Sequence, residues 1–338
     1  MMGFRRRTSV LVGVLVAVAV VVAEAKAKKG GIGMVSECEM ISEKDALFVV
    51  DTQNDFMEAF PIPPGHLPNY DISKHIQKDG KIVAGSLAVA NTSEILPKIN
   101  LWIDYFNQKK ARIFASLDWH SQNHCSFCRN GSARSNPKWY RPHGALCGPL
   151  PQPNFNNTGR CVDRVAEKDF AKAKLMQWPD HCIMQNFGSR FQPFLRLPKN
   201  TTVVKKGWDL VLDTYSAFGG TKSVEEYPFD TKDTKPDLQH QARLNDLLVS
   251  QNIERFWVVG IALDFCVGST VLDSLGKNNE TQRPKPKSLE KSILILPCTR
   301  AVDPVLGGPK MVEAIRKAGG IIVNESDPEL GIRQACAN

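Results

Sequence analysis

No stretch of this 338-residue chain carries the ~20 consecutive apolar residues that a membrane-crossing helix requires. The nearest approach is VLVGVLVAVAVVVA, Val10 to Ala23, which is 14 residues long. The basic MMGFRRRTS precedes it and the small residues of AEAKA follow, which is the layout of a secretory signal. Residues 1–25 are therefore read as a signal peptide and 26–44 as an N-terminal extension, with an uncleaved signal anchor as the alternative. Charge of one sign is also scarce once that leader is set aside. Of the net +8, positions 1–29 supply +5, leaving about +3 for the rest. So small an excess gives little ground for a nucleic-acid partner. Internal repeats and low-complexity tracts are missing beyond the leader. A hydrophobic fraction of 42% and a charged fraction of 23% exclude disorder as the default reading.

Structural zinc modules are excluded by another shortage. Cys125 and Cys128 form a single Cys-x-x-Cys half, and no second half exists to complete a site. The nine cysteines (38, 125, 128, 147, 161, 182, 266, 298 and 336) read instead as disulfide staples of an exported chain, and their odd number leaves at least one over. Six Asn-x-Ser/Thr sequons, at Asn91, Asn130, Asn156, Asn200, Asn279 and Asn324, are candidate glycosylation sites in the same context.

What is present is a regular alternation. Short β-branched runs, ALFVV (46–50), ARIFASL (111–117), TTVVK (201–205), RFWVVG (255–260), SILILP (292–297) and GIIV (320–323), are separated by helix-compatible stretches such as SEILPKINLWIDYFNQKK and QARLNDLLVSQN. Continuous apolar strands between helices predict a six-stranded, mostly parallel sheet covered on both faces. The expected fold is α/β, one three-layer α/β/α domain over residues 45–338. Two segments rich in Pro, Gly and Asn, 60–80 and 128–175, break the rhythm and read as loop insertions.

In open parallel sheets the ligand site lies outside the carboxyl ends of the strands. Asp51 follows the first strand, Asp118, His120 and His124 follow the second, and Lys206 follows the third. The fourth is followed by IALDF and then Cys266, at the start of an apolar helical stretch. Each has an ordinary reading alone: a helix N-cap, a solvated lysine, a bridged cysteine. Their convergence on one sheet edge is what points to chemistry. A sulfur at a helix N-terminus with a lysine nearby is expected to favour thiolate, and Asp51 is placed to act as general base and acid.

The ordered motifs VVDTQNDF, GSLAV (85–89), SLDWHSQNHCSF, WPDHC (178–182), KKG followed by DTYSAF, and GIALDFCVGSTVLDS are together similar to those of the nicotinamidases within the isochorismatase-like cysteine hydrolases. The resemblance spans roughly residues 45–325. The pairing of DWH with WPDHC favours the nicotinamidase branch, since isochorismatases and many other relatives lack that metal cluster. The resemblance implies a catalytic triad of Asp51, Lys206 and Cys266. It implies metal ligands at Asp118, His120 and His181, with His124 as an additional candidate. Phe56, Trp178 and Tyr215 are implied as walls around the pyridine ring. Ala262 and Leu263 are implied to flank a cis peptide that shapes an oxyanion hole with the Cys266 amide.

The implied activity is hydrolysis of nicotinamide, and of pyrazinamide, through a Cys266 thioester, with one divalent metal, zinc before iron or manganese. The only partner expected is the small-molecule substrate. If Cys266 is the unpaired cysteine, eight remain for four disulfides, Cys182 being the least secure member. Two alternatives stand beside this reading: a related cysteine amidase with another small substrate, its pocket mouth reshaped by the 60–80 insertion, and a secreted binding protein without catalysis.

Overall fold

The computed structural model describes residues 40–122, 124, 126–127, 162–163, 178–208, 212–223, 242–279 and 281–337, all within the compact unit Ser36–Asn338. The proposed signal peptide, most of the 128–175 insertion, Asn130, Asn156 and Cys38, Cys125, Cys128, Cys147 and Cys161 lie outside the described residues. The packed unit begins upstream of the expected boundary. Ile41 is buried in the core, and the Lys44 carbonyl accepts the N–H groups of Glu254 and Arg255.

In chain order the strands are β1 (Asp45–Val50), β2 (Phe60–Pro61), β3 (Lys81–Ile82), β4 (Arg112–Asp118), β5 (Val162–Asp163), β6 (Thr202–Lys206), β7 (Leu212–Asp213), β8 (Thr221–Lys222), β9 (Arg255–Ile261), β10 (Lys291–Arg300) and β11 (Ile321–Val323). The helices are α1 (Ile95–Gln108), α2 (Leu244–Ser250), α3 (Gly268–Ser274), α4 (Gly307–Lys317) and α5 (Pro328–Ala337). All six predicted strands and both predicted helices are found. The central sheet nevertheless has seven strands, in the order β11-β10-β9-β1-β4-β6-β8. The extra strand β8 pairs antiparallel with β6. Two residues, Thr221 and Lys222, are too short a segment for an apolar period to reveal.

Successive side chains of a strand point to opposite faces, and the core divides accordingly. Leu47 and Val49 of β1 pack with Trp257 and Val259 of β9 against Ile95, Ile99, Trp102 and Phe106 of α1. Ala46, Phe48 and Val50 pack with Phe256 and Val258 on the other face, against Leu244 and Leu248 of α2, Val271 of α3 and Ile315 of α4. The buried positions of α1 recur at helical spacing, and Pro97 lies in its first turn, where a backbone N–H has no intrahelical acceptor to lose. The result is the three-layer α/β/α arrangement.

Topology then positions the site. From central β1 the chain crosses to β4 and β6 on one side, and later to β9, β10 and β11 on the other. The carboxyl ends of β9, β1, β4 and β6 are therefore neighbours on one edge, where the strand order switches direction. The 60–80 insertion is among the described residues. Tyr70 donates from its hydroxyl to Phe191 O at 2.6 Å, Asn69 donates to Pro193 O and Leu195 O, and His75 stacks on Phe187 with ring centroids 3.7 Å apart. It is fastened to residues 187–195.

Candidate active site

β1 ends at a sharp turn. Asp51 has φ 41, a left-handed conformation that aspartate tolerates better than most residues, and its N–H and Oδ1 both engage the Ser116 hydroxyl of β4. Lys206, the last residue of β6, is 1% exposed. Its Nζ lies 3.0 Å from Asp51 Oδ2, 2.9 Å from Asp118 Oδ1 and 3.4 Å from Cys266 Sγ. One buried cation thus joins three of the strand ends that the sequence singled out. Asp51 Oδ2 is buried and accepts no hydrogen bond among the described residues.

The electrostatics of this group differ from one expectation. Burial pushes the Cys266 thiol well above its ordinary value, and Asp51 and Asp118 reinforce that against the opposing pull of Lys206. Burial thus opposes the expected thiolate, with Asp51 and Asp118 adding to it and Lys206 working the other way. Burial, reinforced by Asp118, also raises Asp51 in spite of Lys206. Burial alone would lower Lys206, but Asp118 and Asp51 hold it well above the usual lysine value. A raised carboxyl beside a raised thiol is an arrangement suited to passing one proton between them.

Cys266 itself sits in a single π-helical turn, Leu263–Val267, that runs directly into α3. Backbone N–H groups in the first turn of a helical segment have no acceptor within it. The cis peptide joins Ile261 and Ala262, not Ala262 and Leu263 as the resemblance implied. Ala262, extended at φ −98 and ψ 145, follows β9 directly and caps the helical turn.

Asp118, His120 and His181 are all buried, and one ligand atom from each lies within 4.8 Å of the others. His120 donates from Nδ1 to Gly207 O at 2.7 Å, and His181 from Nδ1 to Pro179 O at 2.8 Å. Both rings are thereby fixed with Nε2 aimed at Asp118 Oδ2, at 3.0 and 3.3 Å. Two imidazole nitrogens oriented by backbone carbonyls around one carboxylate oxygen make a donor set that fits a divalent metal. Burial raises Asp118, but His120 and Lys206 outweigh it and hold the carboxyl well below the usual range, so it is charged as a ligand must be. His124 also joins the cluster. Its ring centroid is 4.1 Å from that of His120, and His120, His124 and Asp213 form a second compact group.

Gly207 supports this geometry in a way only glycine can. Its φ is +71, and a Cβ there would lie 2.5 Å from His120 Cε1. Gly207→Ala is expected to cost about 1–2 kcal/mol and to weaken metal affinity about tenfold or more. Urea midpoints and chelator competition read the two effects.

Above the metal residues opens a cavity of about 440 Å³, its mouth included, lined among others by Phe56, Trp178, Tyr215, Ala262 and Cys266. Leu263, predicted to be with them, packs instead into the core beside Val267, because the helical turn carries it to the opposite side from Ala262. Sequence reasoning missed Phe265, whose ring lies 4.9 Å from Trp178 and 5.3 Å from Tyr215. It also missed the wall residues Leu87, Val89 and Val302, and Asp213. Phe265, adjacent to the candidate nucleophile, was the one with a legible signal. Gln53 was passed over inside VVDTQNDF. Its amide brackets Asp118, accepting the N–H at 2.8 Å and donating to the carbonyl at 2.7 Å.

The cysteine tally is corrected as well. Cys182, Cys266 and Cys298 are all free and buried, and Cys336 is disulfide-bonded. Three free thiols leave six cysteines, so the expected four disulfides cannot form. Cys182 and Cys298 are set in the interior, where no described partner sulfur reaches them.

The frame is a three-layer α/β fold whose adjoining strand ends carry the candidate site. No protein-family model matches the chain. Among curated proteins, the nicotinamidase of Escherichia coli (strain K12) is 29% identical over 230 residues, 68% of this chain and 76% of that one. The nicotinamidase of Acinetobacter baylyi is 27% identical over 230 residues, 68% and 73% of the two chains. Among solved structures, an Acinetobacter baumanii nicotinamidase and pyrazinamidase has a TM-score of 0.52 at 23% identity, over 84% of this chain and 97% of that one. The yeast nicotinamidase bound to the inhibitor nicotinaldehyde has a TM-score of 0.51 at 20% identity, over 83% and 100%; these two likenesses concern the fold. In sequence the chain is thus similar to curated nicotinamidases over about two thirds of its length.

Proposed function

We propose that this protein hydrolyses nicotinamide to nicotinate and ammonia, and accepts pyrazinamide as well. The observation that carries the reading is the Lys206 ammonium within 3.4 Å of Cys266 Sγ and 3.0 Å of Asp51, at the foot of an aromatic cavity that also bears Asp118, His120 and His181. Asp51 takes the thiol proton on Oδ2, the oxygen that faces Lys206, and the Cys266 sulfur attacks the carboxamide carbon. The Phe265 N–H is taken by the Ala262 carbonyl, and the other backbone N–H groups of the Ala262–Cys266 turn, that of Cys266 among them, are the donors for the developing oxyanion. The C–N bond breaks, and the proton held by Asp51 leaves with ammonia. Asp51 then deprotonates a water that attacks the thioester, and nicotinate departs as the sulfur regains its proton.

Lys206 stays charged throughout and offsets the negative charge that moves between Asp51 and Cys266. Phe56, Trp178, Tyr215 and Phe265 hold the ring by its faces and edges. A divalent ion held by Asp118, His120 and His181, proposed as zinc with iron or manganese admitted by the same donors, supplies a Lewis-acid anchor for the pyridine nitrogen. Release of ammonia from nicotinamide, compared with pyrazinamide and aliphatic amides, tests the substrate. Tight nicotinamide binding without ammonia would favour a binding protein instead. Chelation is expected to abolish turnover, and re-added zinc to restore it, with metal content read on the purified protein.

The pH dependence follows from the buried carboxyl. Asp51 must be ionised to accept the thiol proton, and its pKa is raised. Activity is therefore lost on the acid side at a pH above the ordinary aspartate value of about 3.9. A kcat/KM profile whose acid limb falls at or below that value would contradict the assignment.

We also propose that the protein enters the secretory pathway and is glycosylated. The N-terminal leader supports this, as do Asn91, Asn200, Asn279 and Asn324, all exposed. A mass shift on enzymatic deglycosylation of protein secreted from eukaryotic cells tests it.

A further inference from the structure

We propose that Asp55, which touches neither the reacting atoms nor a metal-ligand side chain, is the positioning residue that holds the His181 turn and the opposite cavity wall at a fixed spacing. This rests on the metal-binding part of the reading above and not on the identity of the substrate. Asp55 lies in the 3-10 turn Asn54–Phe56, one residue before the cavity wall Phe56. Its Oδ2 accepts the Cys182 N–H at 2.6 Å and its Oδ1 accepts the Ser86 N–H at 3.2 Å. Its backbone carbonyl accepts the Leu87 N–H at 2.9 Å. One residue therefore grips two segments that are remote in sequence.

What each segment carries gives the grip its meaning. Cys182 directly follows His181 and has φ 46, a left-handed conformation that a residue with a Cβ adopts only when held there. On its other side the same segment is bound to a ligand's own backbone: Cys182 O accepts the His120 N–H at 3.0 Å, and Met184 N–H donates to His120 O at 2.8 Å. The His181 turn is thus clamped between His120 and Asp55. Ser86 and Leu87 lead into the wall formed by Leu87 and Val89. The packing around Asp55 leaves its position little freedom. A Cβ at Gly188 would overlap the Asp55 carboxylate, and one at Gly85 would overlap the backbone carbonyls of Asn54 and Asp55. Both side-chain partners are N–H donors, so two acceptor oxygens are required. Asparagine keeps one and turns an NH2 group toward the other donor.

The test uses metal-free full-length protein and zinc alone, titrated against a chromogenic chelator. Asp55→Asn is expected to weaken zinc binding about 10- to 100-fold, as loss of a residue that orients a ligand does. At saturating zinc it is expected to raise the KM for nicotinamide several-fold more than it lowers kcat, with the alkylation rate of Cys266 by iodoacetamide unchanged. Gly188→Ala, which drives the same carboxylate off the Cys182 amide, is expected to reproduce the zinc effect. Variants that melt earlier but bind zinc as wild type does would reduce Asp55 to a structural role and overturn the proposal. An unchanged KM at saturating zinc would overturn its cavity half. If Asp55→Asn does not fold, Gly188→Ala decides by the same zinc titration. Zinc binding requires no turnover, so failure of the nicotinamide assignment leaves this test standing.

Discussion

Cys266→Ala is expected to lower kcat for ammonia release from nicotinamide by at least about 10⁴-fold, since removing the nucleophile of a covalent mechanism leaves only binding and oxyanion contacts. Stability should change by about 1 kcal/mol or less, the scale for deleting one small buried group. Substrate binding should survive, because the aromatic walls and the metal-ligand residues are untouched. Ammonia release and nicotinamide calorimetry on the same variant separate the two effects. Substantial turnover by Cys266→Ala would remove the thioester from the mechanism altogether.

Lys206→Met is expected to produce the largest loss of stability of any single change at the site. The ammonium is 1% exposed between Asp51 and Asp118. Methionine keeps the apolar stem and deletes the charge. Breaking a buried ion pair from one side leaves the partners uncompensated and costs about 3–5 kcal/mol. The sign with pH is fixed. Without Lys206 both carboxyls have folded-state pKa values above where the lysine holds them, so the variant gains relative stability as pH falls and they protonate, and loses it as pH rises through those values. Urea midpoints at pH 7 and pH 5 should therefore show the greater deficit at pH 7. A deficit at pH 7 under about 1 kcal/mol would mean that the two carboxylates share their charge with another group.

Legibility in the sequence followed the physics of each feature. Strands buried on both faces are continuous apolar runs, so β1, β4, β6, β9, β10 and β11 could be read from the sequence, and with them the strand ends that carry Asp51, Asp118, Lys206 and Cys266. The two-residue β8 has no period to detect. Leu263 was misplaced because a residue's direction in a π-helical turn depends on where that turn begins, which one strand-end motif does not specify. The setting of the Cys266 thiol was hidden for a different reason. A lysine beside a cysteine favours thiolate, and the burial and two carboxylates that oppose it arise only in the fold. Asp55 and Gln53 act through backbone partners more than sixty positions away or on a distant loop, and such partners leave no local pattern.

The way the 60–80 loop is anchored has a practical side. It grips residues 187–195 through Asn69, Tyr70 and His75, while its outer part, where Leu67 is 90% exposed, contributes nothing to the cavity wall. Length and surface chemistry can change there without retuning the reaction. The stretch between Gly65 and Leu67 is accordingly where a purification tag or a fluorescent reporter can be spliced into the chain with its catalysis left intact.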